Sequence, residues 1–309
     1  MSVCPDTVKK HVSLLAVALL AVAAAAGAYV VYARADAPFR EYTRPEQYVE
    51  IASGIGTNAI GQRLVAAGVV SDRVTFRVAL WLSGRERRLQ AGDYRFERPM
   101  TAREVIDKIA RGDVDRVSIT FPEGLTIVEM SRIFEAHGMG TAAAFVEAAR
   151  NTRPVQALDA AARDLEGYLF PDTYLVSHRT DAARLVIAMI ERFEHVLTPG
   201  VRQAAASNGL TVRQLVTLAS IVEKETARPD ERPLVASVYA NRLLKKMGLQ
   251  CDPTVIYALQ QAGKFDGNLR REDLLFDSPY NTYRYAGLPP GPIASPGKEI
   301  GRASCRERV

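Results

Sequence analysis

Hydrophobic and polar positions divide the chain into three regimes. From Val12 to Ala33, "VSLLAVALLAVAAAAGAYVVYA", no residue is charged. A helix of that length rises roughly 33 Å, enough to cross a bilayer core. Lys9 and Lys10 precede it, which favours a cytoplasmic N-terminus (residues 1–11) and an extracytoplasmic remainder. Arg34 and Arg40 on the far side, accompanied by Asp36 and Glu41, weaken that orientation. A cleaved signal peptide competes, because "AAAAGA" offers small residues. The apolar run nevertheless continues through Tyr29 to Tyr32, beyond an ordinary h-region. Length therefore favours an uncleaved transmembrane helix over 12–33.

Residues 34–45 read as a polar linker. Over 46–120 one design recurs, a short strand-like or turn segment followed by a capped amphipathic helix. Ile60, Leu64 and Val65 follow Thr57 and stop at Gly68; Thr101 and Glu104 form a capping box that runs to Gly112. Between them "VTFRVALWLSG" predicts a helix and "LQAGDYRFE" a strand. This is the pattern of a small α+β unit.

Over 121–298 the pattern is mostly helical. Thr126 and Glu129 make another capping box, with Gly138 as the stop. A helix is expected from Thr211, boxed with Gln214, to Thr226. A second runs from Arg232 to Met247, with apolar positions at Val235, Val238, Tyr239, Leu243 and Met247. Asp252 is expected as an N-cap with Pro253 opening the next helix. The turn-rich "LEGYLFPDTYLVSH" and the aperiodic "DSPYNTYRYAGLPPGPIASPG" interrupt this helical part. Ordered loops of such length are often functional.

Charge and composition mainly exclude. Of 309 residues, 48% are hydrophobic, and Lys plus Arg exceed Asp plus Glu by 40 to 35, a net +5. Basic residues are interleaved with acids, so no nucleic-acid partner is expected. The cysteines, Cys4, Cys251 and Cys305, have neither metal-ligand spacing nor an even count for a disulfide framework. The four histidines show no zinc-hydrolase spacing. Neither metal nor cofactor is expected.

Candidate chemistry sits at the end of the helix over 211–226, in "SIVEKET". Leu215, Leu218, Ile221 and Val222 define one face at 100° per residue. Glu225, three residues after Val222, falls in that stripe. Glu223 turns away and is expected in solvent or paired with a neighbour such as Arg228. Glu225 is then frayed, salt-bridged, or held against apolar surface, where desolvation would keep it protonated for use as a general acid. Tyr168, Phe170 and Tyr174, with Tyr280, Tyr283 and Tyr285, could line a groove for sugar rings or serve ordinary packing. Gln250 and Asn281 supply amide groups.

Four blocks in one order, "EGYLFPDTY", "LASIVEKETARPDERPLVASVYANRL", "LQCDPTVIYAL" and "YNTYRYAGLPPGPIASPG", resemble the YceG-like (MltG) family of endolytic murein transglycosylases. The resemblance runs from the membrane segment to about Lys298. It implies an N-terminal transmembrane helix, a LysM-like module (46–120) and a transglycosylase catalytic domain (121–298). It places the catalytic acid, the second glutamate of the E-K-E motif, on Glu225. The implied reaction cuts the β-1,4 bond between N-acetylmuramic acid and N-acetylglucosamine in peptidoglycan, leaving 1,6-anhydro ends. Candidate substrate-binding residues are Gln250, Asp252, Asn281, Tyr283, Tyr168 and Tyr280. Implied partners are glycan strands and peptidoglycan synthases, the penicillin-binding proteins, at the bacterial inner membrane. The alternatives are a non-catalytic glycan-binding scaffold and a hydrolytic muramidase; the latter would need a second carboxylate, for which Asp252 and Glu223 are the local candidates. Cys251 stands where the family pattern has threonine.

Residues 299–309, "EIGRASCRERV", break every pattern before them. They back-translate to a string resembling a sequencing adapter, so the native chain is expected to be interrupted near Lys298, with its catalytic domain truncated.

Overall fold

The structure, a computed structural model, describes residues 5–298; the segment read as adapter-derived lies outside the described residues. The described chain is mixed helix and sheet and divides into two compact units, the first ending at Arg116 and the second beginning at Val117.

The first unit opens with helix α1 (Pro5–Asp36), whose stretch Ala18–Asp36 has a mean hydropathy of 1.6 and is a candidate membrane span. Strand β1 (Gln47–Ile51), helices α2 (Thr57–Ala66) and α3 (Arg73–Ser83), strand β2 (Gly92–Phe96) and helix α4 (Ala102–Arg111) follow. β1 and β2 pair antiparallel with Val49 opposite Tyr94. Their alternation sends Val49, Ile51, Tyr94 and Phe96 into a core shared with Ile60, Leu64, Phe76 and Ile106. Ala35 at the foot of α1 is buried in the same core. The expected α3 helix and β2 strand both form, and Thr101 and Glu104 make their reciprocal capping box. At α2 the cap is Gly56 without a side-chain bond, and Thr57 is already helical.

The second unit contains β3 (Val117–Thr120), α5 (Ile127–Ala136), α6 (Ala142–Ala148), β4 (Thr173–Val176), α7 (Ala182–Val196), α8 (Pro199–Ser207), α9 (Val212–Glu225), α10 (Arg232–Leu244) and α11 (Asp252–Gln261). β3 pairs antiparallel with β4. That pairing draws 117–120 into the second unit, four residues before the boundary expected at 120, because the strand's ladder partner lies far downstream. The Thr126–Glu129 and Thr211–Gln214 boxes form as expected. Two neighbouring cores result, one around Phe121, Phe134, Tyr168, Met189 and Phe193, the other around Leu218, Ile221, Tyr239, Tyr257 and Ile293.

Two helix expectations require correction. α10 stops at Leu244, and Val238 (45%) and Met247 (51%) are exposed; among its apolar residues Ala236 and Tyr239 are the buried ones. The helix therefore meets its neighbours along a narrow line. α11 is capped by the backbone of Cys251, and Asp252 is its first residue. The Asp252 carboxylate instead accepts the Tyr283 hydroxyl at 2.6 Å.

Candidate active site

α9 fixes the position of both glutamates. Leu215 through Val222 are buried on it without interruption, and the helix ends at Glu225 with Thr226 extended as the C-cap. The burial is broader than one stripe because α9 lies between the two cores, giving Leu215, Val216 and Ala219 to the first and Leu218, Ile221 and Val222 to the second, and a non-helical strap, residues 293–297, runs beside it. Ile293 N–H donates to Ser220 Oγ at 3.1 Å, and Ser295 N–H to the Leu125 carbonyl at 2.8 Å.

Each acid takes one of its expected environments, Glu223 the paired one and Glu225 the exposed helix end, but Glu223 is buried as well. Glu223 was expected in solvent or paired with a neighbour such as Arg228; its side chain is only 7% exposed and the neighbour it pairs with is Arg232. It also accepts the Gly297 N–H at 3.2 Å, and Arg232 reaches on to Glu123 at 3.3 Å. Burial pushes the Glu223 carboxyl upward, while the Gly297 N–H and the Arg232 guanidinium pull it down. Arg228 serves Asp230 and Glu231. Glu225, expected within the apolar stripe, is exposed, because the helix runs out one turn beyond Val222.

Around Glu225 the chain converges from three directions. The Cys251 thiol donates to Glu225 Oε2 at 3.3 Å. Burial, then the nearby Glu225 carboxylate, pushes that thiol up to about 12, so it remains an S–H donor near neutral pH. The buried Tyr239 hydroxyl of α10 faces both Cys251 and Glu225, and burial holds it firmly protonated. Neither Tyr239 nor the role of Cys251 was singled out from the sequence. The available signal was a tyrosine in an otherwise aliphatic stripe, since a buried tyrosine hydroxyl needs a partner.

Asp252, Tyr283 and Gln250 flank this cluster. Cys251 N–H donates to Thr282 Oγ1 at 3.0 Å, Thr254 and Thr282 hydroxyls lie 2.9 Å apart, and Gln250 N–H donates to the Thr282 carbonyl at 3.2 Å. These bonds hold 250–254 against 281–283. Gln250 is exposed and adopts φ 52°, a left-handed conformation that costs energy for a residue with a side chain. The hydrogen bond to Asp252, then burial, pushes the Tyr283 hydroxyl up to about 12.

The remaining candidates sit elsewhere. Asn281 is fully buried; its amide donates to the Leu274 and Phe276 carbonyls and its oxygen accepts Tyr283 N–H. It shapes the loop and has no group left for a substrate. Tyr168 is 1% exposed, with its hydroxyl on Asp159 at 2.6 Å. Tyr280 packs on Tyr257 at 5.0 Å between ring centroids, in a cavity near the other end of α9.

The fold and the site thus define an α+β protein presenting the exposed Glu225 carboxylate, with the Cys251 thiol and the Tyr239 hydroxyl beside it, at the end of a buried helix. The chain belongs to the YceG-like family, whose model matches residues 49–307. It is 31% identical over 298 residues to an endolytic murein transglycosylase of Streptococcus pneumoniae, covering 85% of this chain and 53% of that protein. Against one from Bacillus subtilis it is 29% identical, covering 86% and 77%. The chain thus spans about half the length of the pneumococcal relative. A crystal structure of a YceG-like protein from Listeria monocytogenes superposes with a TM-score of 0.56 at 28% identity, covering 86% of this chain and 91% of that one.

Proposed function

We propose that this protein is a membrane-anchored endolytic transglycosylase that cuts peptidoglycan glycan strands, with Glu225 as its acid and base. The observation that carries this reading is the single exposed carboxylate at the end of α9, held by a thiol donor beside Tyr239. Ordinary glycosidases need two carboxyl groups. Here Glu223 is committed to Arg232 and Asp252 to Tyr283, which favours a lyase over a hydrolytic muramidase.

In the proposed reaction, protonated Glu225 delivers its proton to the glycosidic oxygen between N-acetylmuramic acid and N-acetylglucosamine. The resulting carboxylate takes the proton of the muramyl C6 hydroxyl as that oxygen attacks C1, closing the 1,6-anhydro ring. Attack within one sugar avoids the entropy cost of bringing in a separate nucleophile. A bound strand would cover Glu225 and exclude water from the reacting centre. Tyr283, Asp252 and Gln250 line the same edge and are proposed to orient the sugars.

The β1–α2–α3–β2 order around a two-stranded antiparallel sheet supports a LysM-like reading of the first unit. With α1 in the inner membrane, the second unit would work on nascent strands outside it and limit their length, alongside penicillin-binding proteins. Relatives named endolytic murein transglycosylases support the substrate class.

The test is mass spectrometry of products from uncrosslinked glycan strands, with native protein and Glu225→Gln. Anhydro-ended products from the native protein, reduced at least roughly 100-fold in the variant, are expected. Reducing-end products would establish hydrolysis instead, and no cleavage by folded native protein would leave a glycan-binding scaffold.

A further inference from the structure

Near the N-terminal end of α9 the second unit encloses a cavity of about 210 Å³. This is below the range of drug-sized ligand pockets. It is the scale of one sugar ring. Arg213, in the first turn of α9, lies on its wall. Glu225 is twelve residues further along, about 18 Å at 1.5 Å per residue.

The wall is constructed. Arg213 Nε bonds both oxygens of Asp159, at 3.0 and 2.8 Å, while its Nη1 holds the Pro290 carbonyl. Gly167, at φ +84°, lets Pro292 approach so closely that an added Cβ would lie 2.4 Å from it. The tilted Tyr257–Tyr280 pair offers an aromatic surface, with Tyr280 half-buried. Gln261 donates to the Tyr257 hydroxyl at 2.8 Å, and buried Glu166 lies within 3.5 Å of that same hydroxyl.

The charges select the ligand class. Arg213 is neutralised by Asp159, and Asp164 and Arg163 carry opposite signs. Burial, with Asp164 and Glu129 nearby, pushes Glu166 up to about 8 against the pull of the Ile127 N–H and the Tyr257 hydroxyl, so it is mostly uncharged at neutral pH. Nothing favours an anion or a cation. Aromatic surface, amide and neutral acid together suit an uncharged amido sugar.

We propose that this cavity is a second carbohydrate subsite, taking one uncharged N-acetylhexosamine ring of the glycan strand at the opposite end of α9 from Glu225. The proposal rests on the glycan-cleaving reading for its substrate, but the ring's binding requires no cleavage. A strand held at both ends of α9 would be cut at a distance from the sugar bound here.

Ligand-observed saturation-transfer NMR with di-N-acetylchitobiose and the full chain in detergent micelles tests it. Binding is expected at pH 7, unchanged in Glu225→Gln, and roughly tenfold weaker in Gln261→Ala and in Tyr280→Ala, as loss of about one interaction implies. Raising the pH to 9 should weaken binding by the native protein and leave that by Glu166→Gln unaffected. Gln261 is exposed, so its truncation preserves the fold. Undiminished binding by folded Gln261→Ala and Tyr280→Ala, or no binding at all, would overturn the subsite. Loss of binding in Glu225→Gln would place the sugar at the catalytic end and overturn it equally. Because product masses are read separately, failure of the lyase assignment shows independently of this result.

Discussion

At Glu225 an exposed carboxylate receives a hydrogen bond from a buried thiol, and the buried partner determines where the exposed one points. Cys251 is anchored by its backbone to Thr282 and by its carbonyl to the Thr254 hydroxyl. Its Sγ therefore has little freedom, and the donor orients Glu225 Oε2. Cys251→Thr keeps a short donor and should retain cleavage within about threefold. Cys251→Val keeps volume without the donor and should lower the initial rate roughly tenfold, at a melting temperature close to native. Equal rates in the two variants would remove the thiol from the site. The E-K-E glutamates were legible as a pair, and the resemblance singled out the second. Their environments were not legible, because helical periodicity says nothing about which surfaces come to lie against a helix.

At the scale of elements, α9 lies between the two cores of the second unit, with the 293–297 strap bonded to it at Ser220 and Glu223. The link from α9 to α10 is an ion pair with side-chain exposures of 9% for Arg232 and 7% for Glu223. Removing one partner strands a buried charge, so Arg232→Ala should cost about 3–5 kcal/mol in denaturant unfolding. Replacing both, as Arg232→Met with Glu223→Leu, should recover most of that stability. An Arg232→Ala loss below about 1 kcal/mol would mean that water reaches the pair. The capping boxes at Thr101, Thr126 and Thr211 were legible because a cap and its acceptor lie three residues apart. The strap was not, since "PIASPG" carries no period and its partners, Leu125 and Ser220, lie far back in the chain.

At the scale of the molecule, stability should depend on pH through Glu166, which is buried between the "EGYLF" turn and the start of α5. Its N–H donor is Ile127, and Asp164, Glu129, Tyr257 and Tyr280 are titratable groups around it. Its folded pKa of about 8 lies above the unfolded value of 4.5. The folded state therefore holds the proton more tightly, and the associated stability, in full below pH 4.5, is lost as pH rises towards 8. Thermal melts of the native protein should fall across that window by more than those of Glu166→Gln, a difference on the order of a few kcal/mol. Coincident profiles would contradict this. The anchor is testable at the same scale. A chain beginning at Arg34 keeps buried Ala35 and should move from the membrane pellet to the supernatant on fractionation, whereas retention in the pellet would locate membrane binding elsewhere.

Sequence alone determined what depends on neighbours a few residues apart: the apolar run of α1, the helix starts at their capping boxes, and the alternation of β1 and β2. Through its ordered motifs it also carried the family, and it pointed to Glu225 as the acid proposed above. Tertiary structure alone decided which glutamate is buried, that Cys251 and Tyr239 meet Glu225, that Asn281 is spent on its own loop, and that Tyr280 belongs to a cavity remote from Glu225. Each of these depends on segments tens of residues apart lying side by side. Local pattern encodes how strongly a residue prefers burial, whereas burial itself is set by what the rest of the chain brings against it.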